Sequence, residues 1–91
     1  MITLYLSNMT TFELDILKLE KQDFQNIIGR RIRQLRESKN MTQVELAHLC
    51  NFEKSNMNRI EAGNTSTNTF TLYKICNTLD ISMQEFFSFE L

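Results

Sequence analysis

The chain has 91 residues, 42% of them hydrophobic, and a formal net charge of −1, values of a single ordinary globular domain and not of a disordered chain. It has no Pro, and its only glycines are Gly29 and Gly63, too few turn residues for a fold built from hairpins. No apolar stretch reaches the roughly 18 residues of a membrane span, and the opening MITLYLSNM has neither the basic region nor the small-residue cleavage site of a signal peptide.

Along the chain, Ile2, Leu4 and Leu6 alternate with Thr3 and Tyr5, the period of a short strand or extended arm. Thr10-Thr11-Phe12-Glu13 is a capping box, and Phe12, Ile16 and Leu19 follow at helical spacing, so a helix is predicted over about 11–21. A second helix, separate from the first or continuous with it, is predicted from near Asp23 to about Ser38. Its apolar stripe is Phe24, Ile28, Ile32 and Leu35, with arginines on the other faces. Asn40 tolerates the left-handed conformation that ends a helix.

Thr42 and Glu45 form the capping box of a short helix whose apolar positions are Val44 or Leu46, Ala47, Leu49 and Cys50. Asn51 breaks it. The next helix is predicted over Lys54 to Glu61, with Gly63 suited to the position just past its end. The polar run NTSTN leads to a helix over about 69–79, with Phe70, Leu72, Ile75, Cys76 and Leu79 as its stripe. Ser82 and Glu85 cap a last short helix through Phe87. The fold class is therefore all-α with short loops. Cys50 and Cys76 lie in apolar helical patterns without metal-type spacing. They read as buried thiols in a reducing cytoplasm, with a disulfide as the lesser alternative.

Charge is unevenly spread. Residues 1–26 and 64–91 each carry a net −2, whereas residues 27–63 carry +3 from Arg30, Arg31, Arg33, Arg36, Lys39, Lys54 and Arg59 against Glu37, Glu45, Glu53 and Glu61. Within that basic stretch lies TQVELAHLCNFEKSNMNRI. Two short helices joined by a turn of a few residues must cross steeply to share a core. Ala47 is small enough for the crossing, Asn51 can supply the positive φ of the corner, and Leu46, Cys50, Met57 and Ile60 supply the inward faces. Lys54, Ser55, Asn58 and Arg59 then crowd donors onto the outside of the second helix. Alone, that pattern is an ordinary solvated face. At this spacing it suits the reading of hydrogen-bond acceptors.

The run IGRRIRQLRESKNMTQVELAHLCNFEKSNMNRIEAG, followed by TLYKICNTLDISMQEFF, resembles the Xre-type helix-turn-helix domain shared with phage repressors and Cro proteins. The resemblance covers about residues 27–87. It is carried by Ile32, Leu35-Arg36, Thr42-Gln43, Glu45-Leu46-Ala47, Met57, Ile60-Glu61, Gly63, Leu72, Ile75, Leu79 and Phe86-Phe87. Asn51 and Asp80 stand where Gly is commoner, and the loop at 64–68 lacks the frequent Pro and basic residues. The resemblance implies a five-helix, phage-repressor-like domain at 23–91, behind an N-terminal extension at 1–22 made of the arm and the first helix.

It further implies a recognition helix at about 54–61 in the major groove, with Lys54, Ser55, Asn58 and Arg59 at base edges. Arg or Lys donates to guanine O6 and N7, Asn pairs with adenine N6 and N7, and each good pair contributes roughly 1–3 kcal/mol of discrimination. Thr42, Gln43, Asn56 and Asn64 would meet phosphates, Gln43 at the start of its helix. Leu46, Ala47, Cys50, Asn51, Met57 and Ile60 would hold the motif together. Arg36 and Glu61 would form a structural ion pair. Arg30, Arg31 and Arg33 read as a solvated helix face, with one of them near the DNA backbone.

The expected function is that of a cytoplasmic, sequence-specific transcriptional regulator, a repressor, binding a palindromic operator on double-stranded DNA as a homodimer. Its recognition helices would lie about 34–36 Å apart. The surplus of Met83, Phe86, Phe87, Phe89 and Leu91, or the Ile2-Leu4-Leu6 arm, would supply the dimer contact. The alternative keeps the fold and makes the chain an antitoxin or adaptor, binding a protein partner through the acidic residues 1–26. An enzyme is not expected. The sequence offers no catalytic constellation, phosphate loop, metal cluster or cofactor motif, and its only histidine, His48, is expected to be exposed.

Overall fold

A computed structural model describes residues 8, 10, 11 and 19–89. The predicted arm at 2–6 and nearly all of the predicted helix at about 11–21 lie outside the described residues. Among the described residues five helices are bounded, in order: α1 (Lys21–Ser38), α2 (Gln43–Leu49), α3 (Lys54–Glu61), α4 (Thr69–Thr78) and α5 (Met83–Phe86). The all-α expectation holds. The helix predicted to reach residue 21 does not run into α1, because Glu20 is extended (φ −86°, ψ 164°) and its N–H donates to Asp23 Oδ2 at 3.1 Å. α1 therefore starts two residues before the predicted Asp23. The helix starts at Lys54 and at Met83 were both legible, and the α4 cap is Asn68, whose Oδ1 accepts from Thr71 N–H at 2.8 Å.

Four helices end in the same way. Asn40 (φ 56°), Asn51 (φ 59°), Gly63 (φ 77°) and Asp80 (φ 57°) each take the left-handed conformation one residue past the cap. The following N–H then reaches back to a carbonyl five residues earlier: Met41 to Arg36, Phe52 to Ala47, Asn64 to Arg59 and Ile81 to Cys76, at 2.8–3.2 Å. This pairing satisfies carbonyls that a helix end leaves unpaired. Three of those following residues, Met41, Phe52 and Ile81, are apolar and pack against the core. The corners thus fix the direction in which each new helix leaves.

α1 packs on α3, α2 on α3 and α4, and α4 on α5. Ile32, Leu46, Met57, Ile75 and Phe86 are fully buried where these helices meet. The predicted stripes need correcting at their edges. Phe24, Val44, Leu49 and Phe70 are 46%, 53%, 57% and 69% exposed, so the inward face of α2 is Leu46, Ala47 and Cys50, and that of α4 is Leu72, Ile75, Cys76 and Leu79. Arg31 also departs from the expected solvated face. Its Nε and Nη2 donate to the Phe86 and Glu85 carbonyls at 2.8 Å, and its guanidinium lies 5.4 Å from the Phe89 ring centre. It caps the short α5, whose last carbonyls have few partners of their own.

Gly29 was not singled out in the sequence, and it decides the α1–α3 spacing. A Cβ there would lie 2.5 Å from the Glu61 carbonyl oxygen and 2.6 Å from that of Ile60. Just past the same end of α3, the Gly63 carbonyl accepts from Gln22 Nε2 at 2.8 Å and Gln25 Nε2 at 2.9 Å, which clamps the start of the following loop to α1.

Cys50 and Cys76 are free thiols, 2% and 1% exposed. Burial pushes the Cys76 thiol up, away from the reactive thiolate. Neither cysteine should react with a colourless thiol reagent in the native protein, and both should react in denaturant. Stoichiometric labelling without denaturant would contradict the packing of α4.

Candidate nucleic-acid interface

The corner between α2 and α3 is built from both sides. Thr42 Oγ1 accepts from Glu45 N–H and Glu45 Oε1 from Thr42 N–H, each at 3.1 Å, so the expected capping box starts α2. The Thr42 N–H and hydroxyl hold the Glu45 carboxyl below the usual carboxylate range. Ala47 and Cys50 are both buried, Cys50 with its Sγ 3.4 Å from Thr78 Oγ1 on α4, and Asn51 makes the corner at positive φ. Met57 (0% exposed) and Ile60 (2% exposed) anchor α3 from below. With that face fixed inward, helical geometry turns Lys54, Ser55, Asn58 and Arg59 outward, and all four are exposed. Thr42 and Asn64 are also exposed, whereas Gln43 and Asn56 are half-buried.

Behind this face lies a buried carboxylate. Glu61 is gripped by Arg36 through two bonds, Nε to Oε2 at 2.7 Å and Nη2 to Oε1 at 3.0 Å. Arg36 Nη1 donates further to the Met41 carbonyl at 2.7 Å, so the expected pair also ties the α1–α2 corner to α3. The bonds to Glu61 raise the Arg36 pKa further, against the opposing effect of burial. Two more groups converge on Glu61 Oε1: Gln43 Nε2 at 3.0 Å, and Arg33 Nε at 3.9 Å from a side chain that is 61% exposed. Gln43 Oε1 in turn accepts from Asn58 Nδ2 at 3.4 Å.

The structure thus brings together residues that the sequence placed in separate roles. Gln43 joins the ion pair to the exposed face of α3. Arg33 stands at the rim of a recess of about 80 Å³ that Gln43, Asn58 and Glu61 also line. Arg33 lies on α1, ten residues before Gln43, and nothing in its local pattern separates it from Arg30 or Arg31. Only the crossing of α1 and α3 at Gly29 reveals its position. Among the described residues there is no group of three His, Cys, Asp or Glu fit to hold a metal, and no helix long and apolar enough to cross a membrane.

Two short helices packed together across a tight corner, the second with a polar exposed face, define the class of helix-turn-helix domains. The family model HTH_3, helix-turn-helix, matches residues 32–86, and the chain belongs to that family. Among solved structures, the chain is similar to the restriction-modification controller protein C.AhdI from Aeromonas hydrophila, with 28% identity over 76% of this chain and 100% of that one, at a TM-score of 0.72. It is similar to an HTH_3 family transcriptional regulator from Vibrio cholerae, with 29% identity over 76% of this chain and 39% of that longer one, at a TM-score of 0.71. The clp gene regulator ClgR from C. glutamicum shares the fold, with 22% identity over 68% of this chain and 80% of that one and a TM-score of 0.66. No curated protein matches the sequence.

Proposed function

We propose that this chain is a cytoplasmic, sequence-specific DNA-binding transcriptional regulator, a repressor, that reads a palindromic operator as a homodimer. The observation that carries the proposal is the exposure of Lys54, Ser55, Asn58 and Arg59 together on α3, over the buried Met57 and Ile60. α3 enters the major groove, and these four side chains meet base edges, Arg59 or Lys54 at guanine and Asn58 at adenine. Thr42, Asn56, Asn64 and the first N–H groups of α2 at Gln43 meet phosphates, which fix register without reading sequence. The resemblance to regulators at 28–29% identity supports the same reading.

The homodimer forms at the α5 end of the domain. Phe24 and Phe87 stay exposed there, beside an apolar groove of about 300 Å³ that Ile28, Leu72 and Met83 also line. Such a patch favours a second apolar surface over water. Two copies joined there present two recognition helices to one DNA face, as a two-fold operator requires.

Selection of bound sequences from a random duplex pool tests the proposal. The expected result is a palindrome with half-sites one helical turn apart. Arg59→Ala should weaken binding to the selected site by about 5- to 150-fold, the range of one base pair's discrimination, and relax the choice at one position of each half-site. A pool without enrichment would overturn the DNA reading. Enrichment of a lone half-site would overturn the dimer.

A further inference from the structure

We infer that Gln22 and Gln25, on the first turns of α1, are positioning residues for the DNA backbone: their amides pin the peptide that joins Gly63 to Asn64, so that the loop after α3 meets a phosphate through a neutral side chain held in place. The inference rests on the reading of Asn64 as a phosphate contact and adds the residues of α1 that aim it.

The Gly63–Asn64 peptide is held at both edges. Gly63 is buried, and its carbonyl oxygen accepts from Gln22 Nε2 at 2.8 Å and from Gln25 Nε2 at 2.9 Å. A carbonyl oxygen has two lone pairs, and both are engaged. On the opposite edge of the same trans peptide, the Asn64 N–H donates to the Arg59 carbonyl at 2.9 Å. The glutamines are oriented in turn. A carbonyl only accepts, so each turns its amide nitrogen to Gly63. The Gln25 oxygen, left facing the loop, accepts from the Ser66 hydroxyl at 2.8 Å, and Gln22 Nε2 also reaches Asn26 Oδ1 at 2.9 Å. Only a glycine lets the backbones approach this closely: a Cβ at Gly63 would lie 3.0 Å from Asn26 Cα and 3.1 Å from its nitrogen.

The loop needs such support because it has no charge of its own. Asn64, Thr65, Ser66, Thr67 and Asn68 are all neutral. A lysine or arginine attracts a phosphate over a distance and reaches for it on a long, flexible stem. A neutral amide contributes only where its N–H points at the oxygen. Asn64 is exposed on a short side chain, so the place it can reach is set by the backbone it springs from. The clasp fixes that backbone to α1, and the bond to the Arg59 carbonyl fixes it to the end of α3. The phosphate contact and the base-reading helix therefore keep one spacing. Ser66 has committed its hydroxyl hydrogen to Gln25, which leaves Asn64 as the donor of the pair. A clasp that served the fold alone would, when broken, weaken binding equally whichever phosphate is altered. A positioning role predicts the loss of one phosphate in particular.

The test measures binding of the full-length chain to a duplex it selects from a random pool, with an uncharged methylphosphonate placed in turn at each backbone position. The proteins are wild type, Asn64→Ala, Gln25→Met, and Gln25→Met with Asn64→Ala. Met keeps the length of Gln but cannot donate to Gly63, and circular dichroism melts establish that each variant is folded. Wild type should lose about two- to tenfold, the range of one net hydrogen bond, at one phosphate per half-site whose replacement leaves Asn64→Ala unaffected. Gln25→Met should lose the same factor on unmodified DNA, become insensitive at that same phosphate, keep the selected motif, and lose nothing further when Asn64→Ala is added. The slope of log affinity against log salt should be equal in all four, because a neutral side chain releases no counterion. Loss of a cation contact would lower it by about 0.9. Gln22→Met, at an exposed position, should show a smaller loss at the same phosphate, and it carries the test if Gln25→Met melts below the assay temperature. The inference is overturned, with the DNA reading left standing, if no phosphate becomes silent in Asn64→Ala, if Gln25→Met binds like wild type or weakens equally on every duplex, or if its salt slope falls. A wild-type pool without any motif would instead sink the reading on which the inference rests.

Discussion

Gly29→Ala is expected to destabilise the protein, against the sign that helix propensity alone gives. In an ordinary helix interior, Ala for Gly gains up to about 1 kcal/mol. Here the added methyl carbon would lie 2.5 Å from one backbone oxygen of α3 and 2.6 Å from another. Backbone carbonyls cannot rotate aside as side chains do, so α1 must move off α3. That shift loosens Ile32, which is fully buried, and stretches the grip of Arg36 on Glu61. Overpacking of this kind costs about 1–3 kcal/mol, a large part of the total stability of a small domain, which lies near 5–15 kcal/mol. Gly29→Val adds two further methyl groups and a poorer helix former and should cost more. The measurement is the urea midpoint at constant m-value for wild type and both variants. An Ala variant as stable as wild type would show that the helices separate without cost and that Gly29 does not set their spacing.

That glycine marks the boundary of what the sequence discloses. Corners and caps were legible because they depend on residues adjacent in the chain. Asn40, Asn51 and Gly63 each adopt the positive φ expected of them, and Asp80, flagged as standing where Gly is commoner, does the same. Thr42 with Glu45 and Ser82 with Glu85 form the expected boxes. Arg36 and Glu61 pair as the family resemblance implied. What remained hidden depends on helices meeting across the chain. Phe24 and Phe70 fit a helical stripe as well as Ile28 and Leu72 do, yet each lies past the edge of the contact and stays exposed. Arg30, Arg31 and Arg33 look alike in sequence. In the structure Arg30 faces solvent, Arg31 caps α5, and Arg33 leans toward Glu61. The bonds of Gln43 to Glu61 and Asn58 span 18 and 15 residues, and no periodicity announces them.

Glu61→Ala should be the most damaging single change at the ion pair, and the reason can be separated from any role in recognition. The Arg36 side chain is 9% exposed and would keep its charge, with the Met41 carbonyl as its remaining bonded partner. Stranding a buried charge costs about 3–5 kcal/mol, whereas replacing both members of a buried pair by apolar residues of similar size is often neutral or better. Arg36→Met combined with Glu61→Leu should therefore recover most of the midpoint that Glu61→Ala loses. If the double replacement stays as unstable as the single one, the pair supports the fold through its geometry, by tying the α1–α2 corner to α3, and not merely by neutralising itself.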